Sequence, residues 1–450
     1  MDENIRNGLL STNSTSSETN ILNLPWEVVQ YIFCLLDGKS LIMCKRVSKS
    51  WKEHVHYLEK NVLYWYNHCN KEIPAGAQFD LLDHIFPSHW ENQNCVNWQI
   101  MYKSWCFWNS LKSLSPSVER FVTGLDGISA IKVSGEWLLM STCHGRGKLV
   151  AKNLSKHTML DVYVGTGAIL GFHLAISDRV CVSNVKNSGV LEDFFSTLNH
   201  NEIWLELKDS FVQIGKTYCH MVDKVRQKIR HSYGYEARLI NEGHHSVLYL
   251  NKTSSRVKGP EVMELELCRQ YGSIVDFWQN KITVRDSKRP QMDTFTINMR
   301  TQEVLEHSPM QIYKSTRDFV RVYSWHGVFF ITYSNRRSLI FKTDKGIFDI
   351  TTSIKMGCIS SVLYYSTYLF LGSDRGQLMI YRIKDPERET QWSLPEHGNE
   401  HDPAFCCLIQ VGHIKIVEIA VVEPSHHSEN KPMILCASPE DVYLISFPKL

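Results

Sequence analysis

The chain has 450 residues, of which 43% are hydrophobic and 21% charged, a composition typical of globular proteins long enough for more than one domain. Its 49 basic and 47 acidic residues give a formal net charge of +2, so no strong overall field would draw nucleic acid, an acidic substrate or a membrane surface. Thirteen scattered cysteines without a Cys-x-x-Cys pair indicate a reducing compartment. We therefore expect a cytoplasmic protein, a nuclear one or both, with neither nucleic acid nor a membrane as a partner.

Residues 1–20, MDENIRNGLLSTNSTSSETN, are polar and rich in serine, threonine and asparagine. They lack the cationic start and apolar run of a secretory signal, and we predict a disordered leader. The most apolar long segment, 404–422, carries Gln410, His413, Lys415 and Glu418, which would each be costly in lipid. It is predicted to form two buried strands.

Residues 21–66 follow a helical period. The first segment, LPWEVVQYIFCLLD, places five apolar residues on one stripe: Val28, Val29, Ile32, Phe33 and Leu36. Pro25 suits a first turn, and Asp37-Gly38 supplies a stop. A second segment follows with Leu41, Cys44 and Val47, and Ser48 can cap a third that contains Trp51, Val55 and Leu58. Three short helices are predicted.

A bundle of about forty residues buries too little surface to be stable without further support. Its apolar stripe can serve both an internal core and an external partner, as a helical docking module requires. Alternatively, the helices simply pack on the domain that follows. The periodicity alone leaves both possibilities open.

The order and spacing of these residues resemble the F-box motif, in which LP-x-E is followed by apolar pairs and then by V-S-x-x-W. The matching positions are Leu24-Pro25, Glu27-Val28, Ile32-Phe33, Leu36-Asp37, Leu41, Val47-Ser48-Lys49 and Trp51. The resemblance implies a docking module for the Skp-family adaptor and, through it, the cullin of a ubiquitin ligase. It implies that seven residues supply the adaptor contact or the core behind it: Leu24, Pro25, Val28, Ile32, Leu36, Leu41 and Val47. Trp51 is expected in the core, while Trp26 departs from the motif.

Residues 67–116 are rich in tryptophan, and the run WQIMYKSWCFW places Trp98, Met101, Tyr102 and Trp105 on one helical face. Such large side chains are expected to be buried against a rigid neighbour. A stacking platform for nucleic-acid bases is the alternative, but Lys103 is the only cation within the run. The segment resembles the helical linker that joins F-box modules to WD-type propellers.

From residue 117 onward, short apolar runs alternate with turn residues, a pattern typical of all-β repeats. The clearest unit is 360–383, in which two strands precede the turn Asp374-Arg375-Gly376 and a third follows it. Weaker copies cover 128–154 and 320–343, the last with Asn335-Arg336-Arg337 at the corresponding turn. The repeat length is near that of a propeller blade.

These repeats resemble degenerate WD blades, although no Trp-Asp dipeptide closes any of them. We predict an α + β multidomain protein: an F-box at 21–66, a helical linker at 67–116 and an all-β propeller at 117–450 with six to eight blades, seven being preferred. A β-sandwich pair would use similar strands without the three-strand repeat. In a closed ring, the last strand, 441–447, is expected beside an early one.

No pattern indicates catalysis. Gly165-Thr166-Gly167 lacks the dinucleotide fingerprint, and no G-x-S-x-G, H-E-x-x-H or Walker sequence occurs. Pairs such as Cys143-His144 and Cys219-His220 have no second pair at zinc-site spacing. We therefore predict a non-enzymatic protein without a cofactor or metal.

Four arginines form a hypothetical target-binding set: Arg226, Arg230, Arg336 and Arg337. Guanidinium groups on a propeller rim can hold a phosphorylated or acidic peptide. The alternative is that both segments are solvated loops whose charges face water.

Two functional hypotheses follow. In the first, the protein is a substrate-receptor subunit that binds the ligase adaptor through its N-terminal helices and an unknown target protein through its propeller. In the second, it is a propeller scaffold for protein–protein interaction without ligase association. A propeller hydrolase is a third class, but no nucleophile–base spacing supports it.

Overall fold

The computed structural model divides into two compact units, Met1–His68 and Cys69–Leu450. It describes the following residues: 24–86, 96–144, 147–165, 167–175, 194, 202–207, 210–215, 219–223, 227–232, 234–254, 259–289, 291–311, 320–334, 339–343, 346–349, 358–383, 404–423 and 431–447. The predicted leader at 1–20 lies outside this set. No helix in the described ranges is long and apolar enough to cross a membrane.

The first unit is helical, as the sequence predicts. Its helices are α1 (Trp26–Leu35), α2 (Gly38–Cys44), α3 (Lys49–Glu59) and the first part of α4 (Val62–Glu72). Ser48 caps α3, because its Oγ accepts a hydrogen bond from the backbone N–H of Trp51 at 3.1 Å. Two predicted details differ: Pro25 lies at the cap position before α1, and Asp37 starts α2 by accepting from the Ser40 N–H at 2.6 Å.

The second unit begins with helices. These are α5 (Ala75–Ile85) and α6 (Trp98–Asn109), followed by a 3₁₀ turn at Leu111–Ser113. On α6 the side chains of Met101, Tyr102 and Trp105 are buried, as the periodicity predicts, whereas Trp98 is half-buried. Trp108, one step further along the helix, is buried as well. Burial of these rings argues against a base-stacking platform, which would need them exposed.

The rest of the second unit consists of strands grouped in seven four-stranded antiparallel sheets. In chain order they are sheet 1, β2 (Ile128–Ser134), β3 (Trp137–Thr142), β4 (Lys148–Asn153) and β5 (Met159–Val164); sheet 2, β6 (Gly171–Ala175), β7 (Glu202–Glu206), β8 (Ser210–Gly215) and β9 (Cys219–Asp223); sheet 3, β10 (Gln227–Ser232), β11 (Tyr235–Glu242), β12 (His245–Lys252) and β13 (Val262–Leu267); sheet 4, β14 (Tyr271–Trp278), β15 (Lys281–Asp286), β16 (Gln291–Asn298) and β17 (Glu303–Gln311); sheet 5, β18 (Val320–Trp325), β19 (Phe329–Ser334), β20 (Leu339–Thr343) and β21 (Gly346–Asp349); sheet 6, β22 (Ile359–Tyr365), β23 (Tyr368–Ser373), β24 (Gln377–Arg382) and β25 (Phe405–Gln410); and sheet 7, β26 (Glu418–Val422), β27 (Met433–Ala437), β28 (Val442–Ser446) and β1 (Ser117–Phe121).

The first strand of each sheet, from β2 and β6 through to β26, contacts the first strand of the next sheet, and β26 returns to β2. The strands therefore surround a common axis, which is the arrangement of a β-propeller and not of a sandwich. The predicted fold class, N-terminal helices followed by a propeller, is confirmed. The number of blades remains a prediction. The described residues form seven four-stranded sheets.

The core lies between neighbouring sheets. The second strands β3 and β23 are buried at every position, because both of their faces are covered. The predicted units at 128–154, 320–343 and 360–383 each form three strands, and each sheet adds a fourth. The apolar segment 404–422 forms β25 and β26, which confirms its assignment to strands.

Sheet 7 is built from both ends of the propeller sequence. β1 pairs with β28 from Ser117 opposite Ser446 to Phe121 opposite Val442, which confirms the predicted closure. The guanidinium of Arg120 reinforces this pairing, because its Nε donates to Asp441 Oδ2 at 2.7 Å. Opening the ring at this point would break a sheet.

We expect Leu444→Pro to lower the free energy of unfolding of the propeller by about 3 kcal/mol or more. Leu444 lies in β28 opposite both Glu119 of β1 and Leu435 of β27, so a proline there disturbs a central strand. Ser117→Pro, at the first residue of an outer strand, is the matched control and should be tolerated better. Urea denaturation measures both. Equal losses in the two variants would show that closure does not depend on β28.

Candidate docking surface on the N-terminal helices

One face of α1 and of the turn before it exposes large apolar side chains. Val28, Tyr31 and Leu35 follow one another at spacings of three or four residues and therefore share a helical face, and Leu24 is exposed just before the helix. Tyr31 and Leu35 are 67% and 68% exposed. We call these four residues the α1 stripe. The one charged residue of α1 is Glu27, in the first turn, so charge hardly interrupts this surface.

The opposite face of α1 forms the core of the same unit. Val29 and Phe33 are buried, and the Phe33 ring meets the Trp51 ring edge-on with centroids 5.1 Å apart. The Tyr64 hydroxyl donates to the Phe33 carbonyl at 3.2 Å. The core is thus completed by side chains of α3 and α4. The α1 stripe is not needed for it.

The predicted five-residue stripe is therefore divided. Val28 lies on the exposed face, whereas Val29 and Phe33 lie on the buried one. Successive residues on a helix are about 100° apart, so the five positions span roughly 140°, with Ile32 and Leu36 half-buried between the two edges. The stripe thus has an exposed edge and a buried edge, in line with the prediction that it can serve both an internal core and an external partner.

The seven residues that the motif resemblance singles out fall into three groups. Leu24, Pro25, Val28 and Val47 are exposed, Ile32 and Leu36 are half-buried, and Leu41 is fully buried. Leu41 belongs to the core behind the surface. Trp51 is half-buried against Phe33, which agrees with the core role expected for it.

Sequence reasoning missed several exposed apolar residues of this unit, and we consider three of them: Tyr31, Leu35 and Met43. The signal was present for two of them, because continuing from Val28 in steps of three and four residues reaches Tyr31 and then Leu35. Met43 follows no such rule. Its exposure depends on how α2 packs on α3.

Trp26, which departs from the motif, has a packing role. Its ring stacks on the His54 ring with centroids 3.7 Å apart, and the Tyr57 ring approaches edge-on at 5.5 Å. Burial lowers the pKa of His54, so this imidazole stays neutral at pH 7. Trp26 thus links the start of α1 to α3 while remaining partly exposed.

In the second unit, a buried carboxylate on α5 connects this helix to sheets 5 and 6. Asp80 Oδ1 lies 3.0 Å from Trp325 Nε1 and 2.8 Å from His326 Nε2, and Oδ2 accepts from the Ser366 N–H at 2.8 Å. Burial acts to lower the pKa of His326, but its hydrogen bond and attraction to Asp80 outweigh this, and the pKa is raised overall. The contact with Asp80 therefore favours the protonated form of His326.

A second buried carboxylate connects α6 to sheets 6 and 7. Glu423 follows β26 and accepts from Trp108 Nε1 at 2.7 Å, from the Tyr365 hydroxyl at 2.6 Å and from the Ser104 hydroxyl. Burial raises the pKa of Glu423 to about 7, although all three hydrogen bonds act to lower it. The residues predicted as a Trp-rich linker are in this way bound to the propeller.

The hypothetical target-binding arginines are not brought together among the described residues. Arg226, Arg336 and Arg337 lie outside that set. Arg230 lies on the inner strand β10, half-buried, with its Nη1 donating to the neighbouring Ile229 carbonyl at 3.1 Å. The expectation of a solvated loop is corrected for 227–232, because this segment pairs with β11 as a strand.

Within the described ranges, no group of three or more histidine, cysteine, aspartate or glutamate side chains is arranged to hold a metal ion. The acidic and aromatic residues around Asp80 and Glu423 are engaged in the hydrogen bonds given above. The first unit exposes an apolar surface, the α1 stripe.

Comparison with protein families matches residues 21–63 to the F-box domain. Comparison with curated proteins finds no match. Among solved structures, the chain is similar to the β-propeller domain of Cps50 (Swd1) from Myceliophteria_thermophila, with 10% sequence identity and a TM-score of 0.43 over 73% of this chain and 100% of that one. An F-box domain therefore precedes the propeller described above.

We expect Glu423→Gln to remove one component of the pH dependence of stability. The folded-state pKa of Glu423 lies above its ordinary value of 4.5. Its contribution to the free energy of unfolding is therefore present at acid pH and is lost as the pH rises through about 7. The loss amounts to about 3 kcal/mol. Urea denaturation at about pH 5 and about pH 7.5 should therefore show a smaller decline in the variant than in the wild type.

Glu261→Gln is the matched control, because this glutamate side chain is 82% exposed. Its pH dependence should follow that of the wild type. If Glu423→Gln and the wild type lose the same stability between the two pH values, the pKa of Glu423 is not raised.

Proposed function

We propose that this protein is a substrate-receptor subunit of a Skp–cullin–F-box ubiquitin ligase. Its F-box would bind the Skp-family adaptor and, through it, the cullin, while the propeller would hold a target protein. The combination of an F-box domain and a propeller supports a protein-interaction adaptor. The ligase role is the more specific part of the proposal.

The observation that carries the proposal is the exposure of the α1 stripe. Leaving large apolar side chains in water is unfavourable, and each would gain about 1.5–3 kcal/mol on full burial. Tyr31 and Leu35 are two-thirds exposed on a helix whose other face already has its core partners. Such a surface is best explained by a protein that covers it.

In this role the chain would make and break no covalent bond. Its contribution would be to hold the target near a ubiquitin-charged enzyme that other subunits supply. Tethering of this kind raises the effective concentration of one reactant near the other. This proposal therefore needs neither a catalytic residue nor a cofactor in this chain, and it places the protein in the cytoplasm, the nucleus or both.

The alternative is a propeller scaffold that mediates protein–protein contacts without the ligase. The same exposed stripe would then bind some other helical or apolar surface. Direct binding to a Skp-family adaptor distinguishes the two functions.

We expect Tyr31→Asp/Leu35→Asp to weaken binding of a purified Skp-family adaptor by more than about 100-fold, because two apolar contacts would be lost and charges buried instead. Leu24→Ala/Pro25→Ala should weaken binding in the same direction. Isothermal titration calorimetry with the full chain measures the affinity. A thermal scan checks that the propeller transition is unchanged.

Val122→Asp/Val164→Asp is the matched control, because these valines are 68% and 53% exposed on the propeller. It should bind the adaptor like the wild type. Equal affinity of the stripe variant and the control would contradict the assigned surface. Failure of the wild type to bind any Skp-family adaptor would favour the scaffold.

A further inference from the structure

Among the residues that the structure describes, the outer strand of sheet 4, β17, pairs with β16 on one side and with no strand on the other. At nine residues it is also the longest strand in the described ranges. Eight of its nine residues are exposed, and Met310 is half-buried. In an outer strand, the backbone N–H and C=O groups that do not bond to the neighbouring strand can bond to an added strand. β17 therefore presents a long unpaired edge.

The usual protection of such edges is weak here. Outer strands are commonly shielded by lysines or by shortness, but the sequence EVLEHSPMQ of β17 contains neither lysine nor arginine. Pro309 and a register shift protect part of it. That shift skips Leu305, which is 62% exposed. The register shift falls within residues 303–308, which pair with β16 on both sides of it and expose the apolar side chains of Val304 and Leu305.

One side chain holds β17 in place. The His307 ring stacks on the Phe295 ring of β16 with centroids 4.7 Å apart and planes nearly parallel. Its Nε2 lies 3.6 Å from the buried Asp293 carboxylate. A strand fixed in this way is preorganised, so an incoming segment would not have to order it.

We propose that β17 is a docking edge for an extended, positively charged segment of another protein, which adds to sheet 4 as a fifth strand. Backbone hydrogen bonds favour an extended segment, and Leu305 offers an apolar contact. Glu303 and Glu306 are exposed and favour lysine or arginine opposite them. A second copy of this chain fits worse, since two acidic strands would repel each other.

This inference goes beyond the proposed function, because it concerns the propeller alone and does not require adaptor binding. If the protein is a substrate receptor, the segment would belong to its target. Failure of adaptor binding and failure of β17 binding are therefore separate results, measured with different ligands.

The test uses the purified full chain and a labelled peptide of alternating lysine and valine with blocked ends. We expect fluorescence anisotropy to show binding that weakens about tenfold or more in Glu303→Lys/Glu306→Lys. A peptide with glutamate in place of lysine should bind at least about tenfold more weakly. Two further peptides carry N-methyl groups on alternate backbone amides, one at the odd-numbered and one at the even-numbered positions. Because only every second N–H of an added strand would face β17, one of these two peptides should lose affinity. Hydrogen exchange should slow in 303–308.

Glu264→Lys/Glu266→Lys, on the outer strand β13 of sheet 3, is the matched control and should stay within about twofold of the wild type. Equal weakening in both lysine variants would reduce the effect to general charge attraction and overturn the proposal. So would absence of binding, or full affinity of both N-methylated peptides. Sedimentation tests whether the wild type dimerises through this edge. If it does, and if dimerisation depends on Glu303 and Glu306, the partner of β17 is a second copy of this chain and the proposed basic segment is wrong.

Discussion

The pairing of β1 with β28 is the constraint on which the propeller depends. In a ring of sheets each sheet buries its faces against its two neighbours, so an open form would leave one face of each terminal sheet uncovered. Five residue pairs, from Ser117–Ser446 to Phe121–Val442, join the two ends of the propeller sequence in sheet 7. The inner strands can therefore surround one axis, and the second strands β3 and β23 are covered along their whole length.

Two buried carboxylates then fix the helices on this ring. Asp80 on α5 and Glu423 after β26 each accept several hydrogen bonds, so neither is left as an isolated buried charge. They differ in chemistry. Asp80 has the imidazole of His326 beside it, whereas the donors of Glu423 are neutral hydroxyl and indole groups, and burial raises its pKa. Solvent pH therefore acts differently on the two attachments.

The elements that repeat in sequence could be predicted, and those that depend on distant partners could not. Helical spacing gave α1 and α6, and apolar runs between turns gave the strands at 360–383, because local periodicity encodes burial. The exposure of Met43 depends on how α2 packs on α3, and the partners of Glu423 come from segments far apart in sequence. Arg230 lies on β10 for the same reason: a strand in a ring is specified by its neighbours as well as by its own residues.

Joining the first and last strands has a consequence for biosynthesis. About 330 residues separate β1 from β28, and at ordinary translation rates a ribosome needs on the order of half a minute to make them. During that time β1, the outer strand of sheet 7, has no partner, because β28 has not yet been made. The ring can therefore close only after nearly the whole propeller sequence has been synthesised.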